Sequence, residues 1–324
     1  MSNLKSQTGL ERIDVHHHLV PPFWGEALPS HGGDPSGWST PAWSPDASLA
    51  FMDDQQIATA VLSLTAPGVT GWQGPARRNM ARRVNEFAAG LVAQRPDRFG
   101  AFATLPLPDV GTALRELEYA FDALHADGVV LLSNYGDHYL GDPAFSALWA
   151  ELDRRQAVVI VHPAKPAIPV IEGMPGPIVD YPFDTTRTAV QLVLNGVVAR
   201  SPRVKIILSH AGGFLPYAAH RFAELASALR TDVPSSADLL ESFRSFHFDT
   251  TLSSGPEELL ALQSFARQGH ILYGSDFPYA PAGVAESFTA KLDAFENRSH
   301  GERAAINNGG ARKLFQRLSA DAVA

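Results

Sequence analysis

Eight short apolar runs recur along the 324-residue chain, and stretches of helical periodicity separate them. Several runs are continuously hydrophobic, which is typical of parallel strands covered on both faces. Two of the helical stretches open with a capping residue followed by proline, at Ser44-Pro45 and Asp142-Pro143. The predicted strands are 12–15, 59–64, 99–105, 128–133, 157–162, 204–210, 245–250 and 270–275.

Strands that alternate with helices in this number predict an α/β fold, a (β/α)8 barrel of the TIM type, in a single domain spanning 1–324. The alternative is an open doubly wound sheet. That fold usually carries a glycine-rich phosphate turn after its first strand, where this chain has HHHLVPP. Two proline-rich segments interrupt the repeat. We expect 21–45 to be a small insertion after strand one and 163–183 to be a loop extension, both at the carboxyl ends of the strands.

The composition excludes several classes of function. Cysteine is absent, which excludes disulfides and thiolate metal sites. The formal net charge is −8 and no basic cluster interrupts it, which argues against nucleic-acid and membrane partners. No segment has the character of a signal peptide or a membrane span, so we expect a cytoplasmic protein. Any metal must then be held by histidine and carboxylate side chains.

Titratable residues follow four of the apolar runs. His16 and His18 share one face of strand one, while the histidine between them points away. His162 ends AVVIVH, His210 ends VKIILSH, and Asp276 follows ILYGS. Buried imidazoles and carboxylates need partners, and a shared divalent metal supplies them. The sequence therefore predicts a metal site where these strands end.

This set of motifs resembles the amidohydrolase superfamily. The motifs are HxH after strand one, His-Pro after strand five, SHAGG-x-x-PY after strand six and GSD-x-P after strand eight. The resemblance extends from Ile13 to about Phe315 and is strongest to the non-oxidative decarboxylases, a branch that includes aminocarboxymuconate semialdehyde decarboxylase and 6-methylsalicylate decarboxylase. It implies that His210 lies near the metal without binding it. The implied ligands are His16, His18, His162 and Asp276.

Departures from the family pattern bear on the metal. Strand four, GVVLLSNY, lacks the lysine that bridges two metals in the binuclear members, so we expect one divalent ion per chain. Salicylate- and resorcylate-type relatives often carry Glu-x-His after strand one and use manganese. The His-x-His of this chain favours zinc, with manganese as the alternative. No organic cofactor is expected.

The expected activity is metal-dependent, redox-neutral removal of CO2 from a small aromatic or conjugated carboxylic acid of the salicylate type. Asp276 would hand a proton to the carbon that bears the carboxylate, and His210 would orient a substrate oxygen or activate metal-bound water. The main alternative is hydrolysis of an ester, lactone or amide by the same residues, and a hydratase is a third possibility. A metal-binding module without activity is disfavoured by the free histidine.

The residues that would bind the substrate are less constrained by sequence. The candidates for an aromatic wall are Phe23, Trp24, Trp43 and Tyr217, with packing under loops as the alternative. Arg221 matches a family arginine that reaches the neighbouring subunit's pocket, which implies a homodimer or a larger oligomer; a solvent-facing role is the alternative. The arginine that holds the substrate in the muconate semialdehyde enzyme has no counterpart in WSTPAWSPDASLAFMD, which argues against that substrate.

Overall fold

The computed structural model describes residues 12–168, 170–296 and 299–318. The segment 1–11, which we predicted to carry no export signal, lies outside these ranges. Eight parallel strands form one sheet in which sequence neighbours are also spatial neighbours. They are β1 (Arg12–His18), β2 (Ile57–Ser63), β3 (Phe99–Thr104), β4 (Gly128–Leu132), β5 (Val158–His162), β6 (Lys205–Leu208), β7 (His247–Asp249) and β8 (Ile271–Leu272).

Backbone hydrogen bonds join the first strand to the segment that follows the last one. The Asp276 N–H donates to the His16 carbonyl at 2.8 Å, and the His18 N–H donates to the Phe277 carbonyl at 2.7 Å. These bonds close the sheet, so the predicted (β/α)8 barrel is confirmed. They also place Asp276 beside the two histidines of β1.

Helices cover the outer face of the barrel. The described α-helices are α1 (Pro22–Ala27), α2 (Pro45–Asp54), α3 (Gly74–Gln94), α4 (Val110–Asp122), α5 (Ser146–Arg154), α6 (Asp180–Leu194), α7 (Val197–Arg200), α8 (Leu215–Leu229), α9 (Ser236–Arg244), α10 (Pro256–Phe265), α11 (Ala282–Ala294), α12 (His300–Ala304) and α13 (Gly310–Leu314). Both predicted caps are present, because Ser44 Oγ accepts from the Ala47 N–H at 3.1 Å and Asp142 Oδ1 accepts from the Ala144 N–H at 2.8 Å. None of these helices has the length and apolarity needed to cross a membrane.

Side chains from the strands fill the barrel, and the C-terminal segment closes its amino end. Phe102 of β3 and Phe315 meet with ring centroids 5.8 Å apart, and the Arg317 guanidinium donates to the Pro96 carbonyl just before β3. A packed interior leaves the carboxyl end of the strands as the place where polar side chains converge. The interior residues are Ile13, Val15, Val61, Phe102, Val130, Val158, Ile160, Ile207, Leu272, Ala311, Phe315 and Leu318.

The two proline-rich segments both lie at this carboxyl end. Residues 21–45 contain α1 and a 3₁₀ turn (Leu28–His31) before an irregular stretch. Residues 163–183 include a second 3₁₀ turn, Gly176–Ile178. The segments meet where the Gly176 N–H donates to the Ser36 carbonyl at 2.9 Å. Together they form the rim above the ends of the strands.

Candidate metal centre

Four side chains converge at the carboxyl end of the barrel. One ligand atom from each of His16, His18, His162 and Asp276 lies within 4.8 Å of the other three. The two Nε2 atoms of His16 and His18 are 3.1 Å apart, and His18 Nε2 is 2.9 Å from Asp276 Oδ1. All four residues are buried. The structure therefore brings together the ligand set expected from the sequence.

Hydrogen bonds on the far side of each imidazole determine which nitrogen faces the centre. Every Nδ1–H donates to an oxygen: His16 to Asp249 Oδ2 at 2.8 Å, His18 to the Ser63 carbonyl at 3.2 Å, and His162 to the Pro163 carbonyl at 2.8 Å. Because Nδ1 carries the proton, the Nε2 lone pairs point inward. Inward lone pairs this close repel one another unless a cation lies between them. Three imidazoles and one carboxylate fit a divalent ion such as zinc.

Burial and charge set the protonation of the three histidines. Burial lowers the pKa of His18, and it lowers the pKa of His162 well below the usual range with help from the neighbouring histidines. Burial acts in the same direction on His16, but Asp249 and Asp276 outweigh it and raise the pKa of His16 to about 10. The site therefore requires one positive charge near His16, which a bound cation would supply in place of a proton.

The same neighbours keep Asp276 ionised. Burial alone would raise the pKa of its carboxyl group, but the neighbouring histidines His16, His18 and His210 hold that pKa well below the usual range. A carboxylate and neutral imidazoles are the protonation states that metal ligation needs.

A register shift in β1 turns His16 and His18 toward the barrel axis. Val15 belongs to the barrel interior, so strict alternation would point His17 inward as well. The pairing of β1 with β2 shifts between Asp14 and His17, and His16 and His18 take the inner face instead. The prediction that His16 and His18 share a face holds, but the sequence pattern did not indicate the shift.

His17 contacts groups outside the metal centre. Its Nδ1 is 3.0 Å from Asp14 Oδ2, and its Nε2 is 2.9 Å from Ser48 Oγ of α2. Asp14 also accepts hydrogen bonds from the Ser275 N–H and hydroxyl, at 3.1 and 2.6 Å. His17 therefore links the first strand to α2 and to the loop that carries Asp276.

His210 lies beside the four ligands. Its Nε2 is 3.9 Å from Asp276 Oδ2, and its ring centroid is 5.1 Å from that of His16. Its Nδ1 is buried and has no hydrogen-bond partner among the described residues. This arrangement leaves the imidazole free to contact a substrate or to move a proton.

Asp249 is a further residue of the candidate site, and the sequence pattern did not point to it. Its Oδ2 holds the His16 ring, and its Oδ1 accepts from the backbone N–H groups of His210 at 2.8 Å and Thr251 at 3.1 Å. One carboxylate thus positions both a metal ligand and the free histidine. The available signal was an aspartate at the end of the seventh apolar run, in FHFDT.

A cavity of about 370 Å³ opens above the centre, and His162, His210 and Asp276 form part of its floor. Three aromatic residues from the rim segments and the loop after β8 line it: Trp38, Tyr181 and Tyr279. The described lining residues include a second carboxylate, Asp34, but neither lysine nor arginine. A small, flat and largely apolar molecule fits this space.

The aromatic residues proposed from sequence lie elsewhere. Phe23 packs against Phe87 of α3, the fully buried Trp24 indole donates to the Gly68 carbonyl at 2.9 Å, and the Trp43 indole donates to Ser48 Oγ at 2.8 Å. None of them lines the cavity, since Phe23 faces α3, Trp43 faces α2 and Trp24 faces the loop after β2. Tyr217 is 87% exposed on α8, and Arg221 is exposed on the same helix.

Comparison with known proteins gives one family across most of the chain. A family profile described as amidohydrolase matches residues 13–317. The chain is 45% identical to the decarboxylase yanB of Aspergillus niger, over 95% of this chain and 88% of that protein. It is 43% identical to a 6-methylsalicylic acid decarboxylase of Penicillium expansum, over 95% of this chain and 97% of that protein.

Solved structures similar to this chain are also an amidohydrolase and a decarboxylase. A crystal structure named amidohydrolase II has a TM-score of 0.88 at 32% identity, covering 94% of this chain and 99% of that one. A dihydroxybenzoic acid decarboxylase from Polaromonas sp., with bound manganese and the inhibitor 2-nitroresorcinol, has a TM-score of 0.80 at 25% identity, covering 97% of this chain and 99% of that one.

The contact between Asp249 and His16 can be tested through metal affinity. Asp249→Asn removes the charge that orients His16, so the dissociation constant for the ion should rise by about 10–100-fold, as measured by chelator competition. Asp238→Asn, an exposed carboxylate on α9, serves as the matched control and should leave affinity unchanged. Equal affinities in the two variants would contradict the role given to Asp249.

Proposed function

The chain belongs to the amidohydrolase family, and we propose on that basis that it is a metal-dependent carboxy-lyase acting on a small hydroxylated aromatic acid. The observation that carries this function is the buried centre of three histidines and one aspartate beneath a cavity suited to an aromatic ring. Relatives named as decarboxylases of 6-methylsalicylic and dihydroxybenzoic acids support decarboxylation over hydrolysis.

We propose one zinc ion per chain, held by His16, His18, His162 and Asp276. The nitrogen-rich donor set supports zinc. Manganese is the alternative, because the structure of the dihydroxybenzoic acid decarboxylase contains bound manganese. A divalent ion in this site supplies Lewis acidity that draws charge toward the hydroxyl and carboxylate oxygens of the substrate.

We assign proton transfer to Asp276 and His210. The reaction breaks the bond between a ring carbon and the carboxylate, releases CO2, and forms a C–H bond at the same carbon. Asp276 rests as a carboxylate because its histidine neighbours hold its pKa low against burial. It must therefore gain a proton, from the substrate hydroxyl or from His210 at 3.9 Å, before it delivers that proton to the ring.

Deuterium incorporation distinguishes this chemistry from hydrolysis. Turnover of 6-methylsalicylate in heavy water should leave one deuterium at the vacated ring carbon, detected by NMR. Asp276→Asn should abolish turnover, because an amide delivers no proton. His210→Ala should retain the metal and lower kcat on the order of 10²-fold. Cleavage of esters or lactones without CO2 release from any hydroxybenzoate would contradict the proposal.

The cavity lining favours a substrate with a single negative charge. Asp34 lies on the cavity wall, where burial raises the pKa of its carboxyl group, and its Oδ1 accepts from the Ser36 N–H at 2.8 Å. With no lysine or arginine among the described lining residues, an acidic substituent on the ring would meet uncompensated negative charge. We therefore propose monocarboxylic acids with apolar substituents, such as a methylsalicylate, as the substrate class.

This preference predicts the effect of neutralising Asp34. Asp34→Asn should raise kcat/KM for 2-hydroxyisophthalate relative to 6-methylsalicylate by about tenfold, because it removes charge repulsion in a partly solvated site. Asp46→Asn, which changes an exposed carboxylate on α2, is the matched control. An unchanged ratio in Asp34→Asn would show that Asp34 does not select the substrate.

We also propose a homodimer in which Arg221 serves the partner's cavity. The support is the resemblance of Arg221 to the family arginine, its exposure on α8, and the exposed apolar side chains of Phe214 and Tyr217 on the same surface. A cytoplasmic location stays a prediction from the sequence.

The proposed dimer can be tested by mixing two inactive variants and measuring whether activity returns. Arg221→Ala should lose activity and keep its metal, whereas Arg115→Ala, on the exposed face of α4, should retain activity. Mixing Arg221→Ala with Asp276→Asn should restore part of the activity, because one of the two cavities in a mixed dimer would be intact. A fully active monomer in sedimentation would contradict this arrangement.

A further inference from the structure

Another cavity, of about 700 Å³, lies at the opposite end of the barrel, where β6, β7 and β8 begin. We call it the basal cavity. Lys205 opens β6, His247 opens β7, and His270 immediately precedes β8. The packed barrel interior separates this cavity from the metal centre. Its ionisable lining residues are Lys205, Glu241, His247, Arg267, His270 and Lys313.

The basal cavity is rich in uncompensated positive charge. Glu241 is the single carboxylate in the described lining, and it accepts from Arg267 at 3.1 Å and from Arg244 outside the lining at 2.9 Å. Lys205 and Lys313 form no ion pair with any described residue. Three cationic side chains against one carboxylate leave two positive charges, in a protein whose formal net charge is −8.

Two stacked histidines form one wall of this cavity. The rings of His247 and His270 lie 3.9 Å apart and only 7° from parallel. The His270 Nδ1–H donates to the Phe246 carbonyl at 2.9 Å. His247 is 7% exposed, and its Nδ1 has no hydrogen-bond partner among the described residues. Such a pair has unused capacity to donate hydrogen bonds once it gains a proton.

Burial, reinforced by charge repulsion, keeps this pair of histidines neutral. Burial, with the nearby positive charges of His270, Lys205 and Arg267, lowers the pKa of His247 to about 3. Burial and the charges of Arg267 and Lys205 also lower the pKa of His270. An anion among these groups would oppose the repulsion, so its binding is coupled to uptake of a proton.

We propose that the basal cavity binds a tetrahedral oxyanion with two negative charges, of the phosphate or sulfate type. Two charges match the two uncompensated cations, and several oxygens offer acceptors to Lys205, Arg267 and Lys313, which line the same cavity. The monocarboxylic substrate proposed for the metal centre carries one charge and is a poor match. This site does not depend on the activity of the metal centre.

Sulfate is the probe of choice because its charge is constant across neutral pH. Equilibrium dialysis of the metal-loaded enzyme against labelled sulfate, at constant ionic strength in chloride, should show one saturable site per chain. Affinity should be higher at pH 6 than at pH 8, because the bound anion raises the pKa of His270, which titrates closer to this range than His247 does. Sulfate binding that chloride removes at equal ionic strength would overturn the proposal.

Variants assign the bound sulfate to the basal cavity. Lys205→Gln/Lys313→Gln should weaken binding by about tenfold or more, since it removes both unpaired ammonium groups. Lys291→Gln, the same change on the exposed face of α11, should have no effect. His16→Ala/His18→Ala, which dismantles the metal centre, should retain the site. Loss of sulfate in that last variant, with retention in the double lysine variant, would place the anion at the metal and overturn the proposal.

Competition identifies the source of the anion. Displacement of sulfate by inorganic phosphate alone assigns the cavity to the free anion, whereas displacement also by glycerol 3-phosphate assigns it to phosphate monoesters. Either result supports an oxyanion site, and failure of both competitors contradicts it.

Discussion

Two buried carboxylates, Asp249 and Asp276, lie on either side of the His16 imidazole, and the need to neutralise them governs this end of the barrel. The His16 ring nitrogens are 2.8 Å from Asp249 Oδ2 and 3.3 Å from Asp276 Oδ1. An isolated buried charge costs several kcal/mol, so each carboxylate must be balanced by hydrogen bonds and by a cation. The orientation of the His16 ring and the position of His210 both depend on this balance, because Asp249 accepts hydrogen bonds from each.

The backbone is strained at the residues that carry the chemistry. His210 and Asp276 have φ values of +54° and +63°, a left-handed conformation that costs about 1–2 kcal/mol for a residue with a side chain. Hydrogen bonds at the same residues offset this cost, because the His210 N–H donates to Asp249 and the Asp276 N–H donates to the His16 carbonyl. Gly213 also has a positive φ, of +62°, and it is needed for a second reason, since a Cβ there would lie 2.0 Å from the Pro182 carbonyl oxygen.

The features that the sequence could predict are those that depend on residues a few positions apart in the chain. The strands, the two capped helices and the four residues of the candidate metal centre were predictable because apolar runs, cap residues and titratable residues at strand ends leave signals within a few positions. The aromatic lining was not, because Trp38 and Tyr181 reach the cavity through a contact between segments far apart in the chain, where the Gly176 N–H meets the Ser36 carbonyl. Asp249 was missed because its importance depends on its distance from His16. The shift in β1 was missed because it depends on pairing with β2.

The two ends of the barrel gather opposite charges around the same strands. At their carboxyl ends, the strands β6 to β8 lead to Asp249 and Asp276, while Lys205, Arg267 and Lys313 line the cavity at their amino ends. Strands this short have a buried apolar centre, so polar side chains are confined to their ends. Carboxylates gathered at one end hold a cation, and by the same physical argument cations gathered at the other end favour an anion. The packed interior between them lets each end select its own ligand without sharing a solvent path.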